Sequence, residues 1–249
     1  MFGEDLSFLL VIAVAMMAGG LVKGLIGIAL PMVSIAILSS AIDIRLALGI
    51  ITIPIVLTNF WQAYHAGRPM ETLRRFWLLL LCMVVCIWLG THLVVRLPEQ
   101  ALYAVIGTVI VVFTSTSYFM PSWTLPARAQ TWVAPLAGAL SGLLGGISTI
   151  WGPPLVMYFM MIRLPKDAFI RTTGLVWSAA SIPLLAGYVQ NGIVDAEVAR
   201  LSAAACVPGF VGLWAGQWLR AYIEPEVFRK VLVVVMFFIG LNLIRRGLF

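Results

Sequence analysis

Residues Gly142 to Pro154 read GLLGGISTIWGPP, and this stretch decides how the chain can be arranged. It interrupts a strongly apolar run with backbone that ordinary helix does not accommodate: its glycines permit close approach and positive φ, and Pro153 and Pro154 remove two amide donors. Bilayer hydrocarbon offers no water to the carbonyls and amides so released. A broken segment at membrane depth is therefore tolerated only where it is buried in protein or lines a polar cavity, and the break marks a candidate binding site. A related break, GLVKGLIGIALP, runs from Gly20 to Pro31.

Around these breaks, 62% of the 249 residues are hydrophobic and 10% are charged, with a mean hydropathy of +1.04. Such a composition excludes a soluble domain and requires several membrane spans. The first 22 residues carry Glu4 and Asp5 and lack the basic start and small-residue cleavage site of a signal peptide, so they read as a retained first span. The net charge is +6, but the lysines and arginines are spread over short loops, which fits orientation in a bilayer and not nucleic-acid binding. Cys82, Cys86 and Cys206 lie inside apolar segments and read as small buried hydrophobes, without a disulfide or metal framework.

Apolar runs extend over about residues 6–42, 44–64, 76–97, 99–120, 132–162, 168–190, 196–222 and 224–244. A span needs roughly 20 residues. The first and fifth runs exceed that and hold the breaks, so each is expected to be a hairpin of two short or half-length helices, the other six being single spans. The expected fold is an all-α polytopic membrane protein of about eight to ten helices, forming one transmembrane domain over 1–249.

The two halves also look alike. Gly20, Gly24 and Gly27 match Gly138, Gly142 and Gly145 at a constant offset, Pro31 is answered by Pro153 and Pro154 after a short insertion, and Gly49, Gly90 and Leu97 find partners further on. Matches kept in this order suggest duplication, with repeat one over about 1–125 and repeat two over about 126–249. Loop charge decides their relative orientation. With each broken run entering and leaving as a hairpin, Arg68, Arg74, Arg75, Arg128, Arg163, Lys166, Arg171, Arg220, Arg229 and Lys230 share one face, against Arg45, Arg96, Arg200, Arg245 and Arg246 on the other. Single crossings would erase that bias. The repeats are thus expected to be inverted, each a broken hairpin followed by three transmembrane helices, with both termini outside the cytoplasm.

Inverted repeats would bring the two breaks together near the midplane, each presenting helix N-termini whose free amides and positive dipole ends suit an anion. Lys23 is the ionisable residue deep within the first run, and an intramembrane charge marks a functional site unless it snorkels to an interface. The candidate substrate-binding residues are Lys23, Gly24, Gly27 and Asn59 from the first half and Gly146, Ser148, Thr149, Trp151, Gly152 and Trp177 from the second. Ser148 and Thr149 supply hydroxyls to oxyanion oxygens or cap a helix; Trp151 walls a pocket. Thr52, Gln62, Tyr64, Thr172, Thr173 and Ser178 add polar groups that contact substrate or bond between helices. Gly20 with Gly24, Gly138 with Gly142 and Gly212 with Gly216 are small-residue packing pairs, and Trp61, Trp123 and Trp218 read as interfacial belt residues.

His65 and His92 fall on successive spans, near opposite membrane faces, so a shared haem or metal is not expected. Nor does the sequence carry Gly-x-Ser-Gly, paired membrane aspartates or His-Glu-x-x-His, which argues against an enzyme. No Asp or Glu is central to a span, so an acidic proton relay is missing as well. An anion exporter needs none: an interior-negative potential drives it outward, at roughly 2.3 kcal/mol per charge per 100 mV.

Over nearly its whole length the chain resembles the sulfite exporter TauE/SafE family, also grouped as the 4-toluene sulfonate uptake permeases. The most specific parts are GLLGGISTIWGPPLVMYFM in the second half and KGLIGIALPMV in the first, which departs from the commoner triple-glycine version at Ile28-Ala29 and carries Lys23. The resemblance implies a multi-pass transporter of the bacterial inner membrane for sulfite, sulfoacetate or other organosulfonates. On this reading the partners are a small anionic substrate and the lipid bilayer, a homodimer being compatible with the sequence. No cofactor is expected. The alternatives are an importer of an organosulfonate or other small solute and a membrane scaffold whose breaks serve packing alone.

Overall fold

Hydrocarbon selects helix because a helix satisfies its backbone groups internally. The computed structural model describes residues 6–66, 69–118, 124–222 and 225–248, and among these it is all-helical. Glu4, Asp5, Arg68 and Trp123 lie outside the described residues, as do the side chains of His65, Lys166, Arg229 and Lys230. The helices are α1 (Leu6–Ile26), α2 (Leu30–Leu38), α3 (Ile44–Ala66), α4 (Pro69–Arg96), α5 (Glu99–Tyr118), α6 (Ala127–Ser148), α7 (Gly152–Met161), α8 (Lys166–Gln190), α9 (Ala196–Leu219) and α10 (Pro225–Leu248). Of these, α1, α3, α4, α5, α6, α8 and α9 are long and apolar enough to cross a membrane.

Both long apolar runs break where glycine and proline interrupt them, but unequally. The first limbs, α1 and α6, have 21 and 22 residues, a full span each, whereas α2 and α7 have 9 and 10. The expected pairs of short limbs are therefore one spanning helix and one half-helix. At the first break Gly27 (φ 83) and Ala29 (φ 77) turn the chain in the left-handed region; at the second Thr149 (φ 59) does so, its amide bonding Gly145 O at 2.7 Å. A β-branched residue there is costly, and local bonds offset the cost: Ser148 Oγ donates to Leu144 O at 2.6 Å and accepts from Ile150 N at 3.1 Å.

The halves are interleaved. Helix α1 runs parallel to α9, with Gly20 against Gly209, Gly24 against Leu213 and Gly216, and Gly212 against Met17. Helix α6 runs parallel to α4 in the same manner, Gly138, Gly142 and Gly146 lying on Leu79, Met83 and Ile87. In each case a methyl group would strike the neighbour's backbone, so the small-residue pairs do pack helices. By contrast α3 and α8 are antiparallel, Asn59 meeting Ser181 while Gly174 meets Ala63. So are α5 and α10, Gly107 meeting Ile244 while Gly247 meets Ala104.

Following the chain through these pairs places Arg74, Arg75, Arg128, Arg163, Arg171 and Arg220 at helix ends on one face, the basic face, and Arg45, Arg96, Arg200, Arg245 and Arg246 on the other. At the latter, Arg45 donates to Val94 O (3.3 Å) and Leu97 O (2.5 Å), and Arg246 donates to Ser39 O (2.5 Å) and lies over the Tyr103 ring. Beneath these straps Leu38, Leu48, Ile51, Leu102, Ile106 and Ile110 are all fully buried. That half of the bundle is closed. His92, hydrogen-bonded to Asn191 at 3.1 Å, belongs to the strapped face, while position 65 ends α3 on the basic face.

Candidate functional site

Where α1 ends, Lys23 is 5% exposed. Its ammonium donates to Thr58 Oγ1 at 3.0 Å and to Asn59 Oδ1 at 2.5 Å, both on α3. These acceptors are neutral, and among the described residues no group of His, Cys, Asp or Glu clusters to hold a metal. A buried cation held only by neutral oxygens is costly, which makes it a ready partner for an anion.

Lys23 stands between two spaces. The inner one is a cavity of about 40 Å³ and is lined by the N-terminal turns of both half-helices: Ala29 to Met32 of the first break and Thr149 to Pro153 of the second. Asn59, Trp151 and Trp177 complete its polar and aromatic wall, with Ile55, Phe113 and Val156 as apolar wall. A single water needs about 10–15 Å³ of such space, so the pocket holds a few waters or one compact anion.

The first turn of a helix leaves amides without intrahelical partners. In α2 Pro31 contributes none and Val33 N bonds Ala29 O at 3.1 Å, leaving Leu30 and Met32. In α7 Pro153 and Pro154 contribute none, leaving Gly152. Proline thus strips donors from a terminus while keeping its dipole, and the remaining N–H groups are few and fixed. One more donor is unused: Trp177 Nε1 is buried in the lining of this cavity and has no hydrogen-bond partner. Buried indole N–H groups are nearly always satisfied, so one left without a partner in a residue that lines the cavity is a donor in reserve for a ligand acceptor.

The second space is a vestibule of about 380 Å³ on the basic-face side of Lys23. It is lined by Lys23, Gly24, Gly27 and Thr58, by Trp61 and Gln62 of α3, by Thr173 of α8, and by Gln217 and Arg220 at the end of α9. Lys23 and Ile28 belong to both walls.

Of the residues singled out in the sequence, Lys23, Asn59, Thr149, Trp151, Gly152 and Trp177 meet at the inner cavity, and Gly24 and Gly27 line the vestibule. Gly146 and Ser148 line neither: Gly146 packs on Gly90 and accepts the Tyr188 hydroxyl at 3.1 Å, and Ser148 caps the break. Ser178 donates to Asn59 O at 2.8 Å and so bonds α8 to α3, Thr52 donates to Leu48 O at 2.7 Å within α3, and neither lines a cavity. Tyr64 is exposed. Thr58, beside Asn59 in an apolar stretch, gave a signal that the reading of α3 passed over. Phe113, Gln217 and Arg220 gave none, because their place depends on helices distant in sequence.

A bundle of spanning helices with two half-helix termini converging on an internal cavity, served by a vestibule from one face, defines a membrane transporter. The family model described as Sulfite exporter TauE/SafE matches residues 11–243, and the chain belongs to that family. It is a multi-pass inner-membrane protein. No curated protein and no solved structure matches the chain closely enough to add to this.

Proposed function

We propose that the protein is an alternating-access exporter of sulfur oxyanions, such as sulfite or short organosulfonates, and that the anion sits in the inner cavity against Lys23. The observation that carries this is the convergence of one buried, acid-free cation, two half-helix N-termini and the orphan Trp177 N–H on a single cavity. In the bound state the anion would accept from Lys23, Trp177 Nε1 and the Leu30, Met32 and Gly152 amides. Thr58 and Asn59 hold the ammonium in place until it arrives.

The alternating movement rests on the chain being two inverted repeats. Three features support that reading: the exchange of α1–α9 for α6–α4, the antiparallel pairing of α3 with α8 and of α5 with α10, and the two breaks facing one cavity. Gly216 meets Gly24 and Gly90 meets Gly146, so the equivalent positions lie one turn from those matched in the sequence, and Pro31 then answers Pro153 without an insertion. Lys23 falls opposite Gly145, whose missing side chain makes room for Trp151. One repeat supplies charge and the other an aromatic wall.

By the excess of positive charge, the basic face is cytoplasmic, and the vestibule loads from inside. Export of an anion is then downhill in the membrane potential. Proteoliposomes loaded with radiolabelled sulfite or sulfoacetate and given an interior-negative potential test this: the wild type releases the anion and Lys23→Met does not. Equal release by both would remove Lys23 from the site, and no release of either anion by the wild type would end the reading.

A further inference from the structure

The vestibule is more than a passage. Besides Lys23 it carries a second cation, Arg220, together with the amides of Gln62 and Gln217 and the Thr173 hydroxyl, and no carboxylate lines it among the described residues. Its position follows from packing. Gly24 and Gly216 let the backbones of α1 and α9 touch, a Cβ on Gly24 meeting Gln217 N at 2.7 Å, and this closeness holds the last turn of α9 beside Lys23. An arginine ending a helix on a cytoplasmic face is ordinary by itself. Here it shares a cavity wall with Gln217 one turn earlier and with Gln62 from the facing helix, so donors converge from two elements.

The two spaces also differ in what they can hold. At about 40 Å³ the inner pocket takes an anion only after most of its water is gone, whereas about 380 Å³ leaves room for an anion with part of its hydration shell. A planar guanidinium fork suits the paired oxygens of a sulfonate or sulfite better than a point charge does.

Resting on the transport reading above, we propose that the vestibule is a second oxyanion site, an outer station where Arg220, Gln62 and Gln217 hold a partly hydrated anion before Lys23 takes it. The outer station sets how readily the carrier loads at low substrate concentration, and the inner site sets turnover. Because it is open and hydrated, its pull is screened by salt.

The test is sulfite flux in proteoliposomes as a function of concentration, at low and high ionic strength. Arg220→Gln is expected to raise the half-saturating concentration about fivefold to tenfold at low ionic strength, with the maximal rate within about twofold and the difference shrinking in high salt. Arg220→Lys recovers part of the loss, and Gln217→Leu gives a smaller shift of the same kind. Arg128→Gln, on the same face but outside the vestibule, stays within about twofold of wild type. An unchanged half-saturation in Arg220→Gln, or an equal shift in Arg128→Gln, overturns the outer station while leaving transport intact. If Arg220→Gln does not fold, an unchanged Gln217→Leu does the same. A wild type that carries neither sulfite nor an alkanesulfonate brings down the transport reading, and the outer station with it.

Discussion

The Lys23 ammonium donates to the Asn59 side-chain oxygen at 2.5 Å, and the Asn59 amide in turn donates to Ser181 Oγ at 2.9 Å. One side chain thus joins the buried cation of α1 to the α3–α8 contact. An amide is suited to this position because it orients an ammonium without neutralising it.

Asn59→Asp is therefore expected to weaken anion uptake strongly while preserving the fold. The new carboxylate would sit in hydrogen-bond reach of Lys23, form an internal ion pair and occupy the charge meant for the anion. Half-saturation should rise more than about tenfold, the equivalent of about 1.4 kcal/mol, with the unfolding midpoint in detergent kept or raised. Flux at wild-type affinity in this variant would mean that the cation is not the anion's partner.

Trp177→Phe removes the orphan N–H and keeps most of the ring. No protein group loses a partner, so stability should hold. Anion affinity should fall roughly fivefold, one hydrogen bond of about 1 kcal/mol. Binding measured by tracer displacement on the purified protein, alongside thermal unfolding, separates the two effects; a loss of stability with unchanged affinity would assign the indole to packing.

The glycines of α9 differ in what surrounds them. A Cβ on Gly216 would meet Leu21 C at 2.9 Å and Gly24 Cα at 3.0 Å, both backbone, whereas one on Gly209 meets only the terminal methyl of Met16 at 3.4 Å. Gly216→Ala is expected to cost about 1–3 kcal/mol by forcing α1 and α9 apart. Gly209→Ala should be neutral or stabilising by up to about 1 kcal/mol through helix propensity. Thermal unfolding of the two variants in the same detergent compares them directly, and equal losses would contradict the close α1–α9 contact.

Both breaks were legible because glycine and proline stand out in a chain bound for lipid, and Lys23 because charge there is rare. The lengths of the limbs were not. In hydrocarbon every helix face can be apolar, so no periodicity marks where α1 ends, and Gly20 and Gly24, which look like part of the break, are packing residues inside the helix. The register of the proposed repeats is ambiguous for a related reason: glycines four residues apart match equally well one turn along, and the contact of Gly90 with Gly146 and of Gly216 with Gly24 favours the later match. Thr149 in the left-handed region has no sequence signature, since residue type argues against it. In sequence Arg220 reads as an orientation signal, and only the packing of α9 on α1 brings it beside Lys23.

The strapped face carries the last prediction. Arg246 donates to Ser39 O at the C-terminus of α2, where a cation complements both the free carbonyl and the negative end of the dipole, and Arg45 ties the start of α3 to Leu97 O. Helix α2 is therefore held at both ends, its N-terminus at the cavity and its C-terminus by Arg246. On the alternating access proposed above, opening toward the strapped face would have to release these bonds, because Leu38, Ile51 and Ile106 are fully buried on that side. Arg246→Gln should shift the resting population toward that opening. In a background with Cys82, Cys86 and Cys206 replaced by alanine, a cysteine introduced by Leu38→Cys should react with a membrane-impermeant maleimide added on the strapped side roughly fivefold faster when Arg246→Gln is present, corresponding to about 1 kcal/mol of lost closure. Equal labelling rates would show that the arginine strap does not hold the closed state, and the closure would then rest on the packed layer alone.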